Sequence, residues 1–267
     1  MKVAGIQFDI AWENPGTNLK VARGLIERAA DAGADLVVLP EMFATAFSMD
    51  TAKILPFEDE IREFLSSTAK AAGVWLIAGL AAAQKPRPKN IALVIDPSGA
   101  EQLRYEKIHP FSLAGEPEHY DAGRSVSTIE IKGLRVTPFV CYDLRFPEIF
   151  RFAADDTDLF VVIANWPERR SEAWMTLLRS RAIENQAYVL GVNRIGEAGG
   201  IAHLGDSSLV DPFGNVASTL VGSEGIVSGE ADRKAVAACR QRFSFLEDRR
   251  PEIYDRIARE KRGDVAN

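Results

Sequence analysis

The sequence is poor in the residues that build disulfide frameworks and metal sites. Its 267 residues include two cysteines and three histidines. Cys141 and Cys239 lie far apart and form no recognisable disulfide framework, which is typical of a protein in the reducing cytoplasm. His109, His119 and His203 show no H-E-x-x-H pattern and no metal-ligand spacing with the cysteines. The sequence therefore predicts no metal site and no cofactor.

Signals for membrane insertion, export and nucleotide binding are also missing. No run approaches the roughly 20 apolar residues of a membrane span, and the start, MKVAGIQFDIAW, lacks a signal-peptide core and cleavage site. The formal net charge of -6 argues against nucleic acid or an anionic membrane as the main partner. A serine-hydrolase elbow, a P-loop and a dinucleotide fingerprint are all absent, so bound nucleotide is not predicted.

The composition is that of an ordinary globular protein. Hydrophobic residues make up 46% and charged residues 26%, and no obvious linker divides the chain. We expect residues 1–267 to form a single domain. Residues 247–267 are polar and sparsely apolar, and we interpret them as a C-terminal arm on the surface, packing on a partner subunit.

Strand-like and helical segments alternate along the chain and follow one plan twice. The first half predicts a strand at 2–8, a helix at 17–33 ending at Gly33, a buried strand at 34–41, a helix at 58–72 capped by Gly73, and a strand and hairpin turning at 96–99. In the second half, TDLFVVIANWP echoes ADLVVLPE, residues 170–187 predict a helix, and the hairpin turn DPFG echoes DPSG. Two packed sheets with helices on their outer faces would bury such two-sided apolar strands, so the predicted class is α/β.

Three residues with reactive side chains directly follow strand-like runs, where α/β folds place their sites. Glu41 ends ADLVVLPE, Lys107 lies in YEKIHPF, and Cys141 follows LRVTPFV. Each has an ordinary structural alternative. Glu41 could be a first-turn acid of the next helix, Lys107 a solvated lysine at a strand end, and Cys141 a buried small hydrophobe.

Taken together, the three residues have a chemical logic. A cysteine nucleophile needs its thiolate, and a neighbouring cation stabilises it. Attack on an amide builds an oxyanion, which a lysine and a backbone N–H can stabilise. A carboxylate can take the thiol proton, pass it to the leaving ammonia and later activate water. A Cys–His dyad is the alternative, and it would most naturally use His109.

The motifs that hold these residues resemble those of a known family. LPEMF, YEKIHPF and VCYDLRFPE, in this order and at these intervals, are similar to the three signatures of the nitrilase superfamily of carbon–nitrogen hydrolases. LPEMFATAFSM, NWPERRSEAWMTLLRSRAIENQAYVLGVNRIG and GDSSLVDPFG resemble its omega-amidase branch. The resemblance implies a four-layer α-β-β-α sandwich of two similar halves that pairs as a homodimer. It also implies hydrolysis of the terminal amide of 2-oxo acid amides such as 2-oxoglutaramate and 2-oxosuccinamate.

Position by position, the resemblance makes Cys141 the nucleophile, Glu41 the general base and Lys107 the cation that stabilises the oxyanion. It gives the second oxyanion contact to the backbone N–H of Tyr142. The family also has a second glutamate that orients the lysine and the incoming water. Both Glu116 and Glu118 could fill that position, and the spacing to Gly123 favours Glu116.

The substrate carboxylate should meet a cation, and Arg145 follows the nucleophile by four residues. Its structural alternative is an ion pair with Asp143 or Glu148. Phe47 and Trp166 could wall the pocket or lie in the core. Amidases that repair deaminated glutathione carry similar CYDLRFPE text and are the nearest rival, whereas Phe146 argues against N-carbamoyl amidohydrolases. A non-enzymatic interaction module would require a decayed site, and the three reactive residues are intact.

Overall fold

The computed structural model describes residues 1–262. Over this range the chain forms thirteen strands and eight α-helices, linked by short 3-10 turns. The strands are β1 (Lys2–Gln7), β2 (Leu36–Val38), β3 (Trp75–Ala82), β4 (Lys89–Ile95), β5 (Glu101–Glu106), β6 (Ile129–Ile131), β7 (Leu134–Val140), β8 (Leu159–Ile163), β9 (Tyr188–Val192), β10 (Ile195–Ala198), β11 (Ile201–Val210), β12 (Val216–Val221) and β13 (Gly225–Glu230). The helices are α1 (Pro15–Asp31), α2 (Thr51–Ile54), α3 (Glu58–Ala72), α4 (Glu116–His119), α5 (Pro147–Ala153), α6 (Ser171–Asn185), α7 (Arg233–Arg242) and α8 (Pro251–Arg262).

The strands form two sheets, one from each half of the chain apart from β13. The first sheet has the order β13-β1-β2-β3-β4-β5, in which β1, β2 and β3 are parallel and the other neighbours antiparallel. The second has the order β10-β11-β9-β8-β7-β6, with β12 paired to β11, and its parallel strands are β7, β8 and β9. The predicted repeat is therefore present as two sheets of the same plan.

The core lies between the two sheets and continues beneath the helices. Val38 of β2 and Val161 of β8 belong to one buried cluster that fills the space between the sheets. A second cluster fills the space between the first sheet and α1 and α3, and α6 packs on the other side of the second sheet. Burial on both faces explains why β2 and β8 are apolar without alternation. The predicted α-β-β-α sandwich is confirmed.

Most element boundaries agree with those expected from the sequence, with a few differences. Gly73 ends α3 with a left-handed backbone, as predicted, at φ 67°. Helix α1 begins two residues earlier than expected because Asn14 caps it by accepting the Thr17 N–H. The sequence pattern missed β6, β10 and β13, and β13 pairs antiparallel with β1 from the far end of the chain.

The described part of the C-terminal arm includes α8, which buries none of its side chains in this chain. Residues 263–267 lie outside the described residues, so the arm expected at 247–267 is described only as far as Arg262. Within residues 1–262, no helix combines the length and apolar character needed to cross a bilayer.

Candidate active site

The three reactive residues predicted from the sequence lie together, each just after the carboxyl end of a strand, where the two sheets face each other. Glu41 follows β2 and Lys107 follows β5 in the first sheet, while Cys141 follows β7 in the second. Gly79 of β3 lets Glu41 lie close to the sheet, since an added Cβ there would be 2.6 Å from the Glu41 Cα. The first sheet thus supplies a carboxylate and an ammonium, and the second supplies a thiol.

Glu41 and Lys107 form a buried ion pair with Glu116. Lys107 Nζ is 2.9 Å from Glu41 Oε1 and 2.8 Å from Glu116 Oε2, and the three residues are at most 1% exposed. Glu116 also accepts the Phe111 N–H at 2.5 Å. Glu118, the other candidate from the sequence, is exposed. The helix α4 therefore turns Glu116 inward and leaves Glu118 in solvent.

The Lys107 ammonium is held in its charged form. Burial alone would lower the pKa of Lys107, but the negative charges of Glu116 and Glu41 outweigh it and raise the pKa. The ammonium also lies 5.0 Å from the centre of the Phe47 ring, which adds a favourable cation–π contact. A lysine so placed remains a cation across the physiological range of pH.

Two asparagines that the sequence analysis did not identify complete this cluster. Asn90 Nδ2 donates to Glu41 Oε1 at 2.7 Å and to Glu116 Oε1 at 2.9 Å. Asn165, which follows β8, donates its N–H to Glu41 Oε2 at 2.9 Å and its amide to the Glu41 carbonyl at 2.6 Å. Every one of these contacts points a donor at a carboxylate or carbonyl oxygen and holds that oxygen in position. Asn165 could have been found in the motif NWPERR, whereas Asn90 carries no sequence signal beyond its position at a strand start.

Cys141 occupies a sharp turn at the end of β7. Its φ is +49°, a left-handed conformation that costs a non-glycine residue energy and is concentrated at functional sites. A 3-10 turn over Cys141–Arg145 follows directly. Burial raises the pKa of the Cys141 thiol, and the charge of Glu41 raises it further, against the opposing effect of Lys107. The resting group is therefore a thiol that has a carboxylate beside it.

His109 bonds an aspartate, and no hydrogen bond joins it to the Cys141 thiol within residues 1–262. Its Nδ1 lies 2.8 Å from Asp143 Oδ1, and its ring stacks on Phe146 with centroids 3.7 Å apart. The buried Asp143 also accepts the Tyr105 hydroxyl at 2.7 Å and the Val140 N–H at 3.1 Å. His109 thus helps to fix the turn that carries Cys141, and the Cys141–His109 dyad has no supporting contact among the described residues.

A cavity of about 250 Å³ opens over Cys141. Its lining includes Tyr142 and the three residues expected to bind substrate, Phe47, Trp166 and Arg145. Further lining residues that the sequence analysis did not assign to the site are Trp12, Met49, Phe111, Leu113, Asn165, Arg169, Arg170, Ile201 and His203. The space is large enough for a small amide and mostly apolar, and its lining includes three arginines.

The structural alternative for Arg145 is not found in the described part of the chain. Asp143 is used by Tyr105 and His109, and Arg145 forms no ion pair with Glu148. The guanidinium of Arg145 lies instead 4.9 Å from the centre of the Trp166 ring. Trp166 belongs to the hydrophobic core and also lines the cavity, so it fills both of the roles considered for it from the sequence.

Residues 1–262 contain no cluster of three or more histidine, cysteine, aspartate or glutamate side chains that could hold a metal ion. A thiol, a carboxylate and a buried ammonium lie together beneath a small cavity on an α-β-β-α sandwich, an arrangement suited to nucleophilic cleavage of an amide. The chain belongs to the carbon-nitrogen hydrolase family, whose profile matches residues 2–241. It is accordingly a hydrolase of carbon–nitrogen bonds in amides other than peptides.

Curated relatives and solved structures agree with this assignment. The omega-amidase YafV of Escherichia coli (strain K12) is 34% identical over 250 residues, covering 93% of this chain and 96% of the relative. The 2-oxoglutaramate amidase of Bacillus subtilis (strain 168) is 33% identical, covering 94% and 98%. The chain therefore falls in the omega-amidase branch.

Among solved structures, a CN-hydrolase superfamily protein of Xanthomonas campestris, with an arsenic adduct in its active site, matches with a TM-score of 0.89. It is 34% identical, and the match covers 94% of this chain and 97% of that one. A mutant of the amidase of Nesterenkonia sp. AN1, with acrylamide added at its active-site cysteine, matches with a TM-score of 0.86. That protein is 25% identical, with coverage of 96% and 99%.

Proposed function

We propose that this protein hydrolyses the terminal amide of small 2-oxo acid amides, such as 2-oxoglutaramate and 2-oxosuccinamate. The products are the 2-oxo dicarboxylate and ammonia, formed through a thioester on Cys141. The observation that carries the proposal is the buried Glu41–Lys107–Glu116 cluster next to Cys141, which in turn lines a cavity together with Arg145. Its similarity to the omega-amidase of Escherichia coli and the 2-oxoglutaramate amidase of Bacillus subtilis supports it.

In the first half of the reaction, the Cys141 sulfur attacks the amide carbon as Glu41 takes the thiol proton. The amide oxygen becomes an oxyanion, which the Lys107 ammonium and the Tyr142 N–H stabilise. Tyr142 lies in the first turn after β7, where backbone N–H groups lack a partner within the turn. The tetrahedral species then breaks its carbon–nitrogen bond, Glu41 returns the proton to nitrogen, and ammonia leaves a thioester behind.

In the second half, water attacks the thioester carbon as Glu41 takes one of its protons. Glu116 keeps Lys107 in place and orients the water, which is why two carboxylates flank a single ammonium. The carbon–sulfur bond breaks, the sulfur regains a proton from Glu41, and the carboxylic acid product departs. One amide and one water become one acid and one ammonia, and the protein returns to its starting state.

The cavity wall supports a substrate with an anionic end. Arg145 has no ion pair within residues 1–262 and can hold a carboxylate bidentately near the reacting carbon. Phe47 and Trp166 give the chain between the carboxylate and the amide an apolar surface. A deaminated glutathione amide would need the same chemistry in a larger space, and no feature of the cavity favours it.

We further propose that residues 1–267 form a single domain with residues 247–267 as its C-terminal arm, and that two copies of the chain form a homodimer. Exposed apolar side chains support the homodimer. Phe152 and Phe243 are 81% and 68% exposed, and Tyr254 on α8 is also exposed. A homodimer interface would cover apolar side chains of this size. Light scattering should give twice the chain mass of 29.3 kDa, and a monomer would contradict the dimer.

Both cysteines are free thiols, which supports the reducing cytoplasm as the compartment of this protein.

Ammonia release from a panel of amides tests the proposed function. We expect turnover of 2-oxoglutaramate and 2-oxosuccinamate to exceed that of deaminated glutathione and of a neutral amide such as butyramide. Cys141→Ala should abolish turnover, a loss of at least about 10⁴-fold, while leaving the fold intact. Cys239→Ala is the matched control, because this buried cysteine on α7 does not line the cavity.

The outcomes distinguish the proposed function from its alternatives. Faster release from deaminated glutathione would assign the protein to that rival activity. Substantial activity in Cys141→Ala would move the nucleophile elsewhere. Silence of the native protein across the whole panel, together with no labelling by iodoacetamide, would favour a non-enzymatic interaction module.

A further inference from the structure

The cavity over Cys141 carries positive charge that no acid of its lining balances. Three arginines, Arg145, Arg169 and Arg170, contribute to the lining, and neither aspartate nor glutamate does. Within residues 1–262, the guanidinium groups of Arg145 and Arg170 form no ion pair and donate no hydrogen bond to the protein. Two guanidinium groups with all their donors unused face one small space.

Both guanidinium groups are nevertheless held in place by aromatic rings. The Arg145 Cζ lies 4.9 Å from the Trp166 ring centre, and the Arg170 Cζ lies 5.2 Å from the Phe111 ring centre. Stacking of this kind fixes the plane of a guanidinium and leaves its N–H groups free at the edge. The Trp166 indole N–H in turn donates to the Arg170 carbonyl at 2.8 Å, which ties the two supports together.

The electrostatics of Arg170 suit the binding of an anion. Burial lowers the pKa of this guanidinium, and the positive charges of Arg169 and Arg145 lower it further, against the attraction of Cys141. The cations therefore repel one another across the cavity, whose lining within residues 1–262 contains no carboxylate. A ligand with negative charge would remove that repulsion.

From these observations we infer that Arg170 is a second specificity-determining residue, which binds the 2-oxo carboxylate end of the substrate together with Arg145 and excludes 2-amino acid amides. The inference rests on the proposed function. Arg169 is left out of it, because Arg169 also lines a neighbouring depression together with Glu168.

The 2-oxo carboxylate group suits two guanidinium groups better than a simple carboxylate does. It is planar and offers three oxygen acceptors side by side, so that one guanidinium binds the carboxylate and the second bridges a carboxylate oxygen and the 2-oxo oxygen. A 2-amino acid amide such as L-glutamine places an ammonium where the 2-oxo oxygen would lie. That ammonium offers no acceptor and is repelled by both arginines. The pair thus separates two amides that differ at one carbon.

The test compares kcat/KM of the native protein and of Arg170→Gln on four amides. These are 2-oxoglutaramate, glutaric acid monoamide, L-glutamine and butyramide. For Arg170→Gln we expect kcat/KM on 2-oxoglutaramate to fall on the order of 10- to 100-fold, the effect of losing hydrogen bonds to a charged group. The monoamide, which lacks the 2-oxo oxygen, should lose less. Butyramide should change within about twofold, and L-glutamine should be unchanged or improved. Arg145→Met should lower kcat/KM on both carboxylate-bearing amides and spare butyramide.

Arg23→Gln is the matched control, because the Arg23 guanidinium also stacks on an aromatic ring, Phe64, at 4.9 Å, but on the outer helical layer. Arg170→Lys should restore discrimination against L-glutamine while recovering only part of the rate, since a lysine keeps the charge without the fork. The Arg170 side chain can be changed without loss of the Trp166 hydrogen bond, which uses the backbone carbonyl.

An equal loss on all four amides, or no loss on 2-oxoglutaramate, would overturn the role of Arg170 while leaving the proposed function in place. A native protein that releases ammonia from butyramide but from neither 2-oxo acid amide would overturn both. Protection of Cys141 from iodoacetamide by 2-oxoglutarate gives a second readout. It should be present in the native protein and in Arg23→Gln, and weaker in Arg170→Gln.

Discussion

The two halves of the molecule use the same hydrogen bonds at the amino ends of their parallel strands. In the first half, Asp35 accepts the Lys2 N–H at 2.8 Å and donates its own N–H to the Lys2 carbonyl at 2.8 Å. In the second half, Asp158 makes the same two bonds with Arg135, at 3.0 and 2.8 Å. One aspartate thus sets the register of the parallel strands in each sheet.

The hairpins that follow also correspond. Asp96 accepts the N–H groups of the second and fourth residues after it at 2.8 and 3.1 Å, and Asp211 does the same at 2.8 and 2.9 Å. Beyond the turn, the Lys107 N–H donates to the Asn90 carbonyl at 2.9 Å, and the Gly222 N–H donates to the Leu204 carbonyl at 2.8 Å. The scaffold is repeated down to individual backbone bonds.

The carboxyl ends of the strands differ completely. Counted from these shared bonds, the counterparts of Glu41, Cys141, Lys107 and Asn90 are respectively Ala164, Phe8, Gly222 and Leu204. None of the four counterparts has a side chain that can exchange a proton or carry a charge. The repeat therefore supplies a frame twice and a site once, and that site forms only when a thiol from one half meets the carboxylate and ammonium of the other.

Neutralising Glu41 would give its strand end an uncharged side chain, like the corresponding strand end of the second half. Among changes to Glu41, Asn90 and the two frame aspartates, this one should have the largest effect. Glu41→Gln keeps the size of the side chain but cannot accept the thiol proton, so kcat/KM should fall by about 10³-fold. Ammonia release from 2-oxoglutaramate measures the loss. Glu63→Gln, on the exposed face of α3, is the matched control and should retain native activity.

The same variant should shift the titration of Cys141 to lower pH. In the native protein, burial and then the Glu41 charge raise the pKa of the thiol, and Lys107 opposes them. Removing the Glu41 charge leaves Lys107 less opposed, so the pKa of Cys141 falls and the thiolate forms at lower pH. The rate of iodoacetamide alkylation, followed against pH by mass spectrometry, gives the midpoint. A midpoint that stays the same or rises would show that Glu41 does not act on the thiol.

The asymmetry of the halves also explains what the sequence could predict. Glu41, Lys107 and Cys141 each follow an apolar strand directly, so local pattern and chemical type identify them together. The repeat itself was visible because both halves bury strands of the same kind. Spacing favoured Glu116 over Glu118, and the structure agrees because only Glu116 is buried.

The residues that sequence reasoning missed act through distant partners. Asn90 contacts carboxylates 49 and 26 residues away in sequence, and the residues next to Asn90 do not predict these contacts. Strand β13 reads GIVSGE, with few apolar residues, and it forms by pairing with β1 at the other end of the chain. The direction of an arginine side chain is likewise set by tertiary contacts, so Arg170 could not be assigned to the cavity from sequence alone.

Removing Asn90 should have an intermediate effect and would sharpen the comparison with Leu204, its counterpart. Asn90→Ala takes away a donor shared by Glu41 and Glu116, so both carboxylates lose part of what holds them. We expect kcat to fall on the order of 10- to 100-fold, with little change in KM, because Asn90 does not line the cavity. Steady-state kinetics on 2-oxoglutaramate separates the two constants.

Asn90→Asp distinguishes the loss of the amide hydrogen-bond donor from the loss of side-chain volume that Asn90→Ala also causes. It would place a third carboxylate beside Glu41 and Glu116, and like charges repel strongly when buried, so it should be worse than Asn90→Ala. Leu204→Ala removes the corresponding side chain in the other half and should leave kcat near the native value. An aspartate variant as active as the alanine variant, or a loss confined to KM, would contradict the positioning role.

The smallest expected effect concerns the shared frame, where the two aspartates differ in burial. Asp158 is 1% exposed in its side chain and accepts three hydrogen bonds from Arg135, whereas the Asp35 side chain is 24% exposed. At both carboxyls burial raises the pKa, but the hydrogen bonds and cations around them outweigh it and the pKa is lowered.

Because the pKa is lower in the folded state, each ionised aspartate stabilises the fold at pH values above the pKa of about 3.9 that it has in the unfolded chain. That stabilisation is lost as the pH falls through the lower pKa of the folded state. Asp158→Asn should therefore reduce the free energy of unfolding by about 2 kcal/mol at pH 7, and Asp35→Asn by less than about 1 kcal/mol. Urea unfolding at pH 7 and at pH 3 measures both, and the difference from the native protein should shrink at pH 3 in each case. Equal losses from the two variants would mean that burial of the acceptor is not what separates these two strand ends.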